Sequence, residues 1–204
     1  MNRGSNTTEY WNAKHLREYG DKHDFSQFEN SSLSYHTVAA NIIKKNKDVF
    51  QKKSLLEIGC ASGYFTAYLK SKVLQDWDIE AWDFVEVGID LAIKQCNDVT
   101  YKVRDIITDP ITDNYGCVCI FETIEHIEEG INYKVLDNLV EHSEYVILST
   151  VDTEDDCFGE HISHYKIDTF EQKGYQVEWS RKLSPINMPT GIFHYFIVLI
   201  KGKL

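Results

Sequence analysis

Arginine is scarce in this chain, and long apolar segments are missing. Four of the 204 residues are arginine, and the formal net charge is −11. A surface that binds the phosphates of a nucleic acid is usually basic, so this composition disfavours a nucleic-acid partner. No apolar stretch approaches the roughly 20 residues of a membrane-spanning helix, and no basic and apolar secretion signal opens the chain. We therefore expect no membrane partner.

Cysteine is too infrequent, and odd in number, for a complete disulfide framework. Three of the five cysteines fall in predicted strands or beside a turn, so we expect reduced core residues and a cytoplasmic protein. The five are Cys60, Cys96, Cys117, Cys119 and Cys157. A chain of 204 residues is long enough for one domain with a sizeable core and a short extension.

A strand, a glycine turn and a helix are predicted over residues 55–69. A short apolar run there ends in an acid, breaks at Gly59 and Gly63, and restarts as an amphipathic helix. Glycine has no Cβ, so the backbone can pass close to a ligand at such a turn. A dinucleotide fingerprint would also need glycine at Ala61 and Tyr64, and the bulky Tyr64 fits that pattern poorly.

Strands alternate with helices from the glycine turn to residue 149. Two further strands then follow without a long helix between them, which predicts an α/β sheet with a terminal hairpin. The later predicted strands are Ile79–Asp83, Val99–Val103, Gly116–Phe121, Tyr145–Ser149, Gln176–Ser180 and Phe193–Ile200. The predicted helices are Ser34–Lys45, Tyr64–Val73, Glu86–Gln95 and Tyr133–His142. A loop is predicted over Ser184–Gly191, which contains Pro185 and Pro189.

Acidic residues follow the second and third predicted strands. Asp83 ends the second strand, about twenty residues beyond the glycine turn, and is placed to accept the hydroxyls of a ribose. Asp105 follows the third strand. Because ligands of doubly wound sheets bind at the carboxyl ends of the strands, these acids and the turn should meet at one edge of the sheet.

Three ordered motifs resemble those of class I S-adenosylmethionine (SAM) dependent methyltransferases. Glu57-Ile-Gly59-Cys-Ala-Ser-Gly63 is similar to their E/D-x-G-x-G-x-G signature, with Ala61 in place of the middle glycine. The run from Asp83 to Ala92 resembles their D-x-S-x-x-x-I-x-x-A pattern, and Glu122–Ile127 resembles E-x-L-E-H-I. The resemblance implies a doubly wound, mostly parallel, seven-stranded Rossmann-like sheet with a terminal antiparallel hairpin.

The same resemblance implies SAM as the cofactor and assigns residues to its parts. Glu57 and the backbone of Gly59, Ala61 and Gly63 would hold the methionine end, and Asp83 would hold the ribose. Asp105 and Ile106 would bind the adenine, with Phe84 across its face. Glu122 completes this set of cofactor-binding residues.

Three histidines are candidates for the proton acceptor that an oxygen nucleophile would need. They are His126, His161 and His164, because imidazole titrates near neutral pH. The Glu-His pair at residues 125–126 recurs in relatives whatever their substrate, often in a structural role. The loop histidines His161 and His164 are therefore the more telling candidates.

A divalent metal ion is a further possibility. Glu122, Glu125 and His126, together with His161 or His164, resemble the ligand set of the small-RNA 2'-O-methyltransferases, which bind such an ion. Two carboxylates and two imidazoles suit a divalent ion such as Mg²⁺ or Mn²⁺. The same E-x-x-E-H motif is common in relatives without a metal, and the acidic composition argues against RNA.

The first 34 residues are predicted to form a lid or cap on a SAM-binding domain of residues 35–204. This segment is polar, carries too few aliphatic residues for a core of its own, and is rich in rings. The rings are Tyr10, Trp11, His15, Tyr19, His23, Phe25 and Phe28. They either close over a ligand, with Tyr10 and Trp11 excluding water, or simply pack on the domain.

The predicted function is methyl transfer to an oxygen or nitrogen of a small molecule, such as a sugar, a nucleotide-sugar, an amine or a related metabolite. The cofactor turn is locally similar to that of the NodS-type N-methyltransferases, and this similarity does not identify the acceptor. Two alternatives stay open. One is a metal-dependent RNA 2'-O-methyltransferase, and the other is a non-catalytic binding subunit with the SAM fold.

Overall fold

A seven-stranded sheet forms the centre of the molecule, in the strand order β3-β2-β1-β4-β5-β9-β6. The computed structural model describes residues 7–19, 35–152, 161–183, 186–188 and 191–204. The predicted positions of His23, Phe25, Phe28 and Cys157 lie outside these residues. The strands are β1 Ser54–Ile58, β2 Asp78–Asp83, β3 Thr100–Val103, β4 Tyr115–Phe121, β5 Ser143–Val151, β6 Val177–Lys182, β7 Ile186–Met188, β8 Gly191–Phe193 and β9 Tyr195–Lys201.

Six α-helices accompany these strands within the described ranges. They are α1 Thr8–Tyr19, α2 Tyr35–Asn46, α3 Tyr64–Lys72, α4 Glu86–Gln95, α5 Ile131–Glu141 and α6 Thr169–Gln172. A short 3₁₀ turn, Ile124–His126, follows β4. Within the ranges that the structure covers, no helix is long and apolar enough to cross a membrane.

Strands β1 to β5 pair in parallel and carry the predicted α/β pattern. β1 lies between β2 and β4, with Ile58 beside Trp82 on one side and Ile120 on the other. All seven residues of β4 are buried, as expected for a continuous apolar strand with helices on both faces. Since the chain reverses its strand order between β1 and β4, a crevice opens at their carboxyl ends.

The terminal hairpin is present as an antiparallel pair, with β9 between β5 and β6. The predicted loop over Ser184–Gly191 is wrong in part, because β7 and β8 form a small antiparallel hairpin there. Pro185 and Pro189 flank β7 in sequence and do not interrupt it, so a short strand is compatible with both prolines. Phe193 ends β8 and does not start the last strand.

Two hydrophobic layers cover the two faces of the sheet. Side chains alternate along β4, so Cys117 and Cys119 pack into one layer while Val118 and Ile120 pack into the other. The first layer is closed by α2, α3 and α4, and the second by α5 and α6. The four described cysteines are free thiols, consistent with the reduced state expected from the sequence.

Candidate functional site

A cavity of about 420 Å³ lies at the carboxyl edge of β1, β2 and β4. It is lined by most of the predicted cofactor residues and by residues of α1 and α2. The predicted residues that line it are Glu57, Gly59, Ala61, Asp83, Phe84, Asp105, Ile106, Glu122, Glu125, His126 and His161. Gly63 and His164 are not among its lining residues. The structure therefore brings together residues that are more than one hundred positions apart in the sequence.

The turn after β1 depends on left-handed backbone at Gly59, Ala61 and Gly63, whose φ angles are +75°, +47° and +69°. A Cβ on Gly59 would collide with the side chain of Thr123. A Cβ on Gly63 would lie 2.9 Å from the ring of Tyr101, so this glycine packs the turn on β3 and does not face the cavity. Ala61 adopts a conformation that costs a residue with a Cβ about 1–2 kcal/mol.

Asp83 holds this turn in place. Its Oδ2 accepts a hydrogen bond from the Ala61 backbone N–H at 2.8 Å, and its Oδ1 accepts one from the Val85 N–H at 2.9 Å. Burial raises the pKa of Asp83 to about 6, while these backbone hydrogen bonds act in the opposite direction. A carboxylate oxygen has a second lone pair, so Asp83 can support the turn and still accept a ribose hydroxyl.

Glu57 presents a buried carboxylate to the same cavity. Its Oε2 atom is buried and has no hydrogen-bond partner among the described residues. Burial, and to a smaller extent the charge of Asp83, raises the pKa of Glu57 well above its usual range. An unpartnered buried acceptor of this kind favours a ligand that brings a cation or an N–H donor. The amino group and sulfonium of SAM have that chemistry, so these residues fit the cofactor.

Less polar residues line the cavity after β2 and β3. Ile106 is buried there, and Phe84 keeps 37% of its surface exposed. The Asp105 Oδ1 atom accepts a hydrogen bond from the backbone N–H of Ile107 at 2.9 Å. The arrangement of an apolar wall, a ring and an acid agrees with an adenine site, and the adenine role of these residues stays a prediction.

Two of the three predicted histidines meet at the cavity. The rings of His126 and His161 lie 5.1 Å apart between centroids, and the Trp11 ring lies 5.0 Å from His126. His164 is exposed and lies outside the cavity. Ser163 and Tyr165 are buried on either side of it, because side chains alternate along this extended segment. The structure therefore brings His126 and His161, but not His164, to the lining of the cavity.

Glu122 and Glu125 line the same cavity as these histidines. Burial raises the pKa of Glu125 to about 7, and burial together with the nearby Glu125 raises that of Glu122 well above its usual range. Glu122 adopts a positive φ of 46°, and its Oε1 accepts a hydrogen bond from Ser149 Oγ at 2.9 Å. The pair therefore tends to retain a proton near neutral pH.

Three of the predicted metal ligands form a compact group. One atom each from Glu125, His126 and His161 lie within 4.8 Å of one another. A carboxylate and two imidazoles fit a divalent transition ion. Glu122 is not in this group as the described residues place it. The structure thus assembles part of the predicted ligand set around the histidines.

Other lining residues were not assigned a role from the sequence. Tyr35 and His36 lie at the start of α2, and Tyr195 begins β9. The Tyr35 ring is 5.7 Å from that of Tyr195, and His36 stacks on Phe65 at 5.0 Å. Burial lowers the pKa of His36 to about 3, so its imidazole is neutral. These residues follow no motif in sequence, and only the packing of α2 on β9 brings them to the site.

Helix α1 closes the cavity through Trp11, Lys14, His15 and Glu18. His15 is buried, and burial followed by the charge of Lys14 lowers its pKa to about 4. It packs against α4 at Gly88, where a Cβ would lie 2.9 Å from His15 Nδ1 and 2.9 Å from the carbonyl oxygen of Ala61. The absence of a side chain at Gly88 therefore allows α1 to lie close to the cofactor turn.

Methyltransferases are among the known proteins that resemble this chain. A family model described as a methyltransferase domain matches residues 34–190. The chain is similar to the N-methyltransferase NodS from Bradyrhizobium japonicum WM9, which was solved with S-adenosylhomocysteine (SAH). The TM-score is 0.71 and the sequence identity is 12%, and the match covers 95% of this chain and 99% of that chain. It is also similar to magnesium protoporphyrin IX methyltransferase from Synechocystis PCC 6803, solved with SAM, with a TM-score of 0.64, 12% identity, and coverage of 96% and 95%. No curated protein sequence matches the chain.

Proposed function

Because the chain belongs to the class I SAM-dependent methyltransferases, we propose that it methylates an oxygen or nitrogen atom of a small molecule, with His161 as the proton acceptor. The observation that carries the proposal is a single cavity lined both by Glu57 and Asp83 and by His126 and His161. The cofactor and acceptor sites would then share one cavity.

The cofactor side follows from the carboxylates and the turn. When bound, SAM supplies a methyl group on a positively charged sulfur. Glu57 would pair with its amino group, Asp83 with the ribose hydroxyls, and Asp105 and Ile106 with the adenine. Burial raises the pKa of Glu57 because it destabilises the ionised carboxylate, and a cationic partner would stabilise that ionised form.

The acceptor side follows from the histidines and rings. An acceptor hydroxyl or ammonium group must lose a proton during methylation, and the His161 imidazole accepts it. Trp11, Tyr35 and Tyr195 line the cavity and offer flat apolar surface. Such rings beside polar groups suit an acceptor with one apolar face and several hydroxyl or amino groups, which supports a sugar or a nucleotide-sugar. His126 lies beside His161 and helps to orient the acceptor.

The proposal is tested by SAH formation from SAM with a panel of glucosamine, glucose, UDP-glucose and a simple primary amine. With the most active panel acceptor, His161→Ala should lower turnover by roughly 10²- to 10⁴-fold, with little change in SAH affinity. The matched control is His164→Ala, which removes an exposed histidine three residues away. Equal turnover in wild type and His161→Ala would reject the proton-acceptor role. SAH binding without turnover of any panel acceptor would favour the non-catalytic subunit.

Residues 1–34 are proposed to act as a lid on the domain formed by residues 35–204. The support is the position of α1 across the cavity, with Trp11 against His126. Excluding water from the methyl group prevents wasteful hydrolysis and strengthens the electrostatic interactions inside the site. Removing residues 1–30 should then abolish turnover while SAH still binds, and normal turnover in the truncated protein would contradict the lid.

A metal-assisted methyltransferase is the second candidate. The group formed by Glu125, His126 and His161 favours it, because a bound ion could orient an acceptor hydroxyl. Calorimetric titration with MnCl₂ should then show one site that is lost in Glu125→Gln, and a chelator should abolish turnover that added Mn²⁺ restores. Activity that survives the chelator would reject this candidate. The net charge of −11 makes a small molecule the favoured acceptor here, ahead of RNA.

A further inference from the structure

The segment that carries His161 is fastened to the turn that carries His126. The backbone N–H groups of Ile162 and Ser163 both donate to the carbonyl oxygen of Glu125, at 2.9 and 3.0 Å. The Ser163 hydroxyl donates to the carbonyl oxygen of Ile127 at 2.6 Å. These bonds join two segments more than thirty residues apart, so the distance between the two histidine rings depends on them.

Asn132 completes this connection from the start of α5. Its side-chain amide donates to the hydroxyls of Ser163, at 3.0 Å, and of Tyr165. Its carbonyl oxygen accepts the backbone N–H groups of Gly130 at 3.0 Å and of Tyr133 at 2.7 Å. The Asn132 side chain therefore connects two segments. Its NH₂ group binds the segment that carries His161, and its Oδ1 atom binds the start of α5.

The burial of this connection makes it rigid. Asn132 is 1% exposed, Ser163 is 4% exposed and Tyr165 is 1% exposed. The Tyr165 hydroxyl also donates to the carbonyl oxygen of Ile124, the first residue of the 3₁₀ turn, at 3.2 Å. A buried hydrogen bond without competing water fixes its partners strongly, and losing one member leaves the others unsatisfied.

We propose that Asn132 is a positioning residue for His161: its side-chain amide holds the 161–165 segment against the Ile124–His126 turn and so sets the geometry of the acceptor site. The proposal rests on the proposed function, because it concerns the residue to which that function assigns the proton. Asn132 does not line the cavity, so it acts only through the segment that it holds.

The donor and acceptor sides of the amide can be separated by substitution. Asn132→Asp keeps an acceptor for the N–H groups of Gly130 and Tyr133, and it removes the donor to Ser163 and Tyr165. Ser163→Ala interrupts the same connection and leaves α5 unchanged. The matched control is Asn138→Ala on the same helix, whose amide pairs with the backbone of Ile111 at 2.9 and 3.0 Å.

The primary measurement is amide hydrogen exchange in the full chain with SAH, which needs no acceptor. Exchange at Ile162 and Ser163 should rise by about 10- to 100-fold in Asn132→Asp and in Ser163→Ala, because each variant loses buried hydrogen bonds. Asn138→Ala should leave these two amides as protected as in wild type. SAH affinity should stay within about twofold in all three variants, because none of the substituted residues lines the cavity.

Turnover distinguishes positioning from general stability. With the most active panel acceptor, Asn132→Asp should lower kcat by about 10-fold or more relative to the wild-type protein. When His161→Gln is already present, adding Asn132→Asp should lower the remaining kcat by less than about twofold. Unchanged exchange at Ser163, or equal kcat losses in both backgrounds, would overturn the proposal. A wild-type protein that does not bind SAH, or that methylates none of the panel acceptors, would instead count against the proposed function. The two failures are therefore distinguishable.

Discussion

Asp83 serves two purposes with one carboxylate. It accepts the N–H of Ala61, which stabilises an alanine in a left-handed conformation, and it faces the cavity where a ribose would lie. Ala61 occupies a motif position at which glycine is usual. The hydrogen bond to Asp83 offsets part of the free-energy cost of its positive φ angle. The proposed ribose contact would therefore couple the geometry of the turn to cofactor affinity through Asp83.

Replacing Asp83 with alanine should weaken SAH binding by about 1–3 kcal/mol, because the ribose hydroxyls lose their acceptor and the Ala61 N–H is left unpaired. Calorimetric titration with SAH measures the change. Asp90→Ala is the control, since it removes an exposed acid from the neighbouring helix α4 and should leave the affinity within a few tenths of a kcal/mol. Unchanged affinity in a folded Asp83→Ala protein would show that the ribose binds elsewhere.

At the scale of elements, α1 is the part of the site that motif analysis could not position. Its composition predicted rings that pack on the domain or on a ligand, but neither periodicity nor motif indicated which surface they contact. Gly88 and Trp11 show the reason. Helix α1 can approach α4 because Gly88 has no side chain, and its Trp11 contacts His126 in the turn after β4. These are long-range relations that no local pattern contains.

The lid role predicts different effects for two residues of α1. Trp11→Ala should lower turnover by about tenfold or more, because it removes the ring that covers His126. Leu16→Ala should have little effect, since Leu16 is 56% exposed and faces away from the cavity. The comparison uses the rate of SAH formation at saturating SAM, with far-ultraviolet circular dichroism to verify that both variants keep their helices. Equal rates in the two variants would contradict the lid.

Gly88→Ala tests the contact between α1 and α4. Helix propensity alone would favour alanine by about 1 kcal/mol. The added Cβ would, however, lie 2.9 Å from the backbone oxygen of Ala61, which Asp83 holds in place. We expect the steric effect to prevail, so SAH affinity and melting temperature should both fall. A variant that is more stable and binds SAH as tightly as wild type would show that α1 is not held at Gly88.

The strand and helix pattern was largely predictable, whereas the residues around the acceptor were not. Helix α4 has the predicted bounds, Glu86–Gln95, because its apolar residues recur with the period of a helix. His164 was one of three candidate proton acceptors, and the alternation of buried and exposed side chains turns it outward. Tyr35 and Tyr195 carry no motif at all. Local periodicity thus defines the elements, while contacts between distant segments define the proposed acceptor site.

At the scale of the whole molecule, buried acids and a net charge of −11 make stability depend on pH. Glu57 and Asp83 both have a pKa raised by burial, so the folded state binds protons more tightly than the unfolded chain. Stability is therefore greatest while these groups are protonated and falls as they ionise. Mutual repulsion among the exposed acids acts in the same direction as the pH rises.

The last prediction follows from Asp83, whose pKa of about 6 compares with an ordinary 3.8. A shift of this size corresponds to about 3 kcal/mol of unfolding free energy, present below pH 4 and lost as the pH rises through about 6. About half of this free energy is still present at pH 5 and nearly all of it is lost by pH 8. For a chain of this size the melting temperature of the free protein should therefore fall by roughly 3–6 °C over that interval. SAH affinity should rise over the same interval, because the ionised carboxylate is the better acceptor for ribose hydroxyls.

These opposite trends can be measured by thermal unfolding across this pH range, with and without saturating SAH. Asp83→Asn supplies the control: it keeps a side chain of similar shape that does not titrate, so its melting temperature should vary less with pH than that of wild type. A wild-type protein whose melting temperature rises steadily toward pH 8 without ligand would contradict the argument. The carboxylates would then already be ionised in the free protein, and the cavity would be more polar than its buried acids indicate.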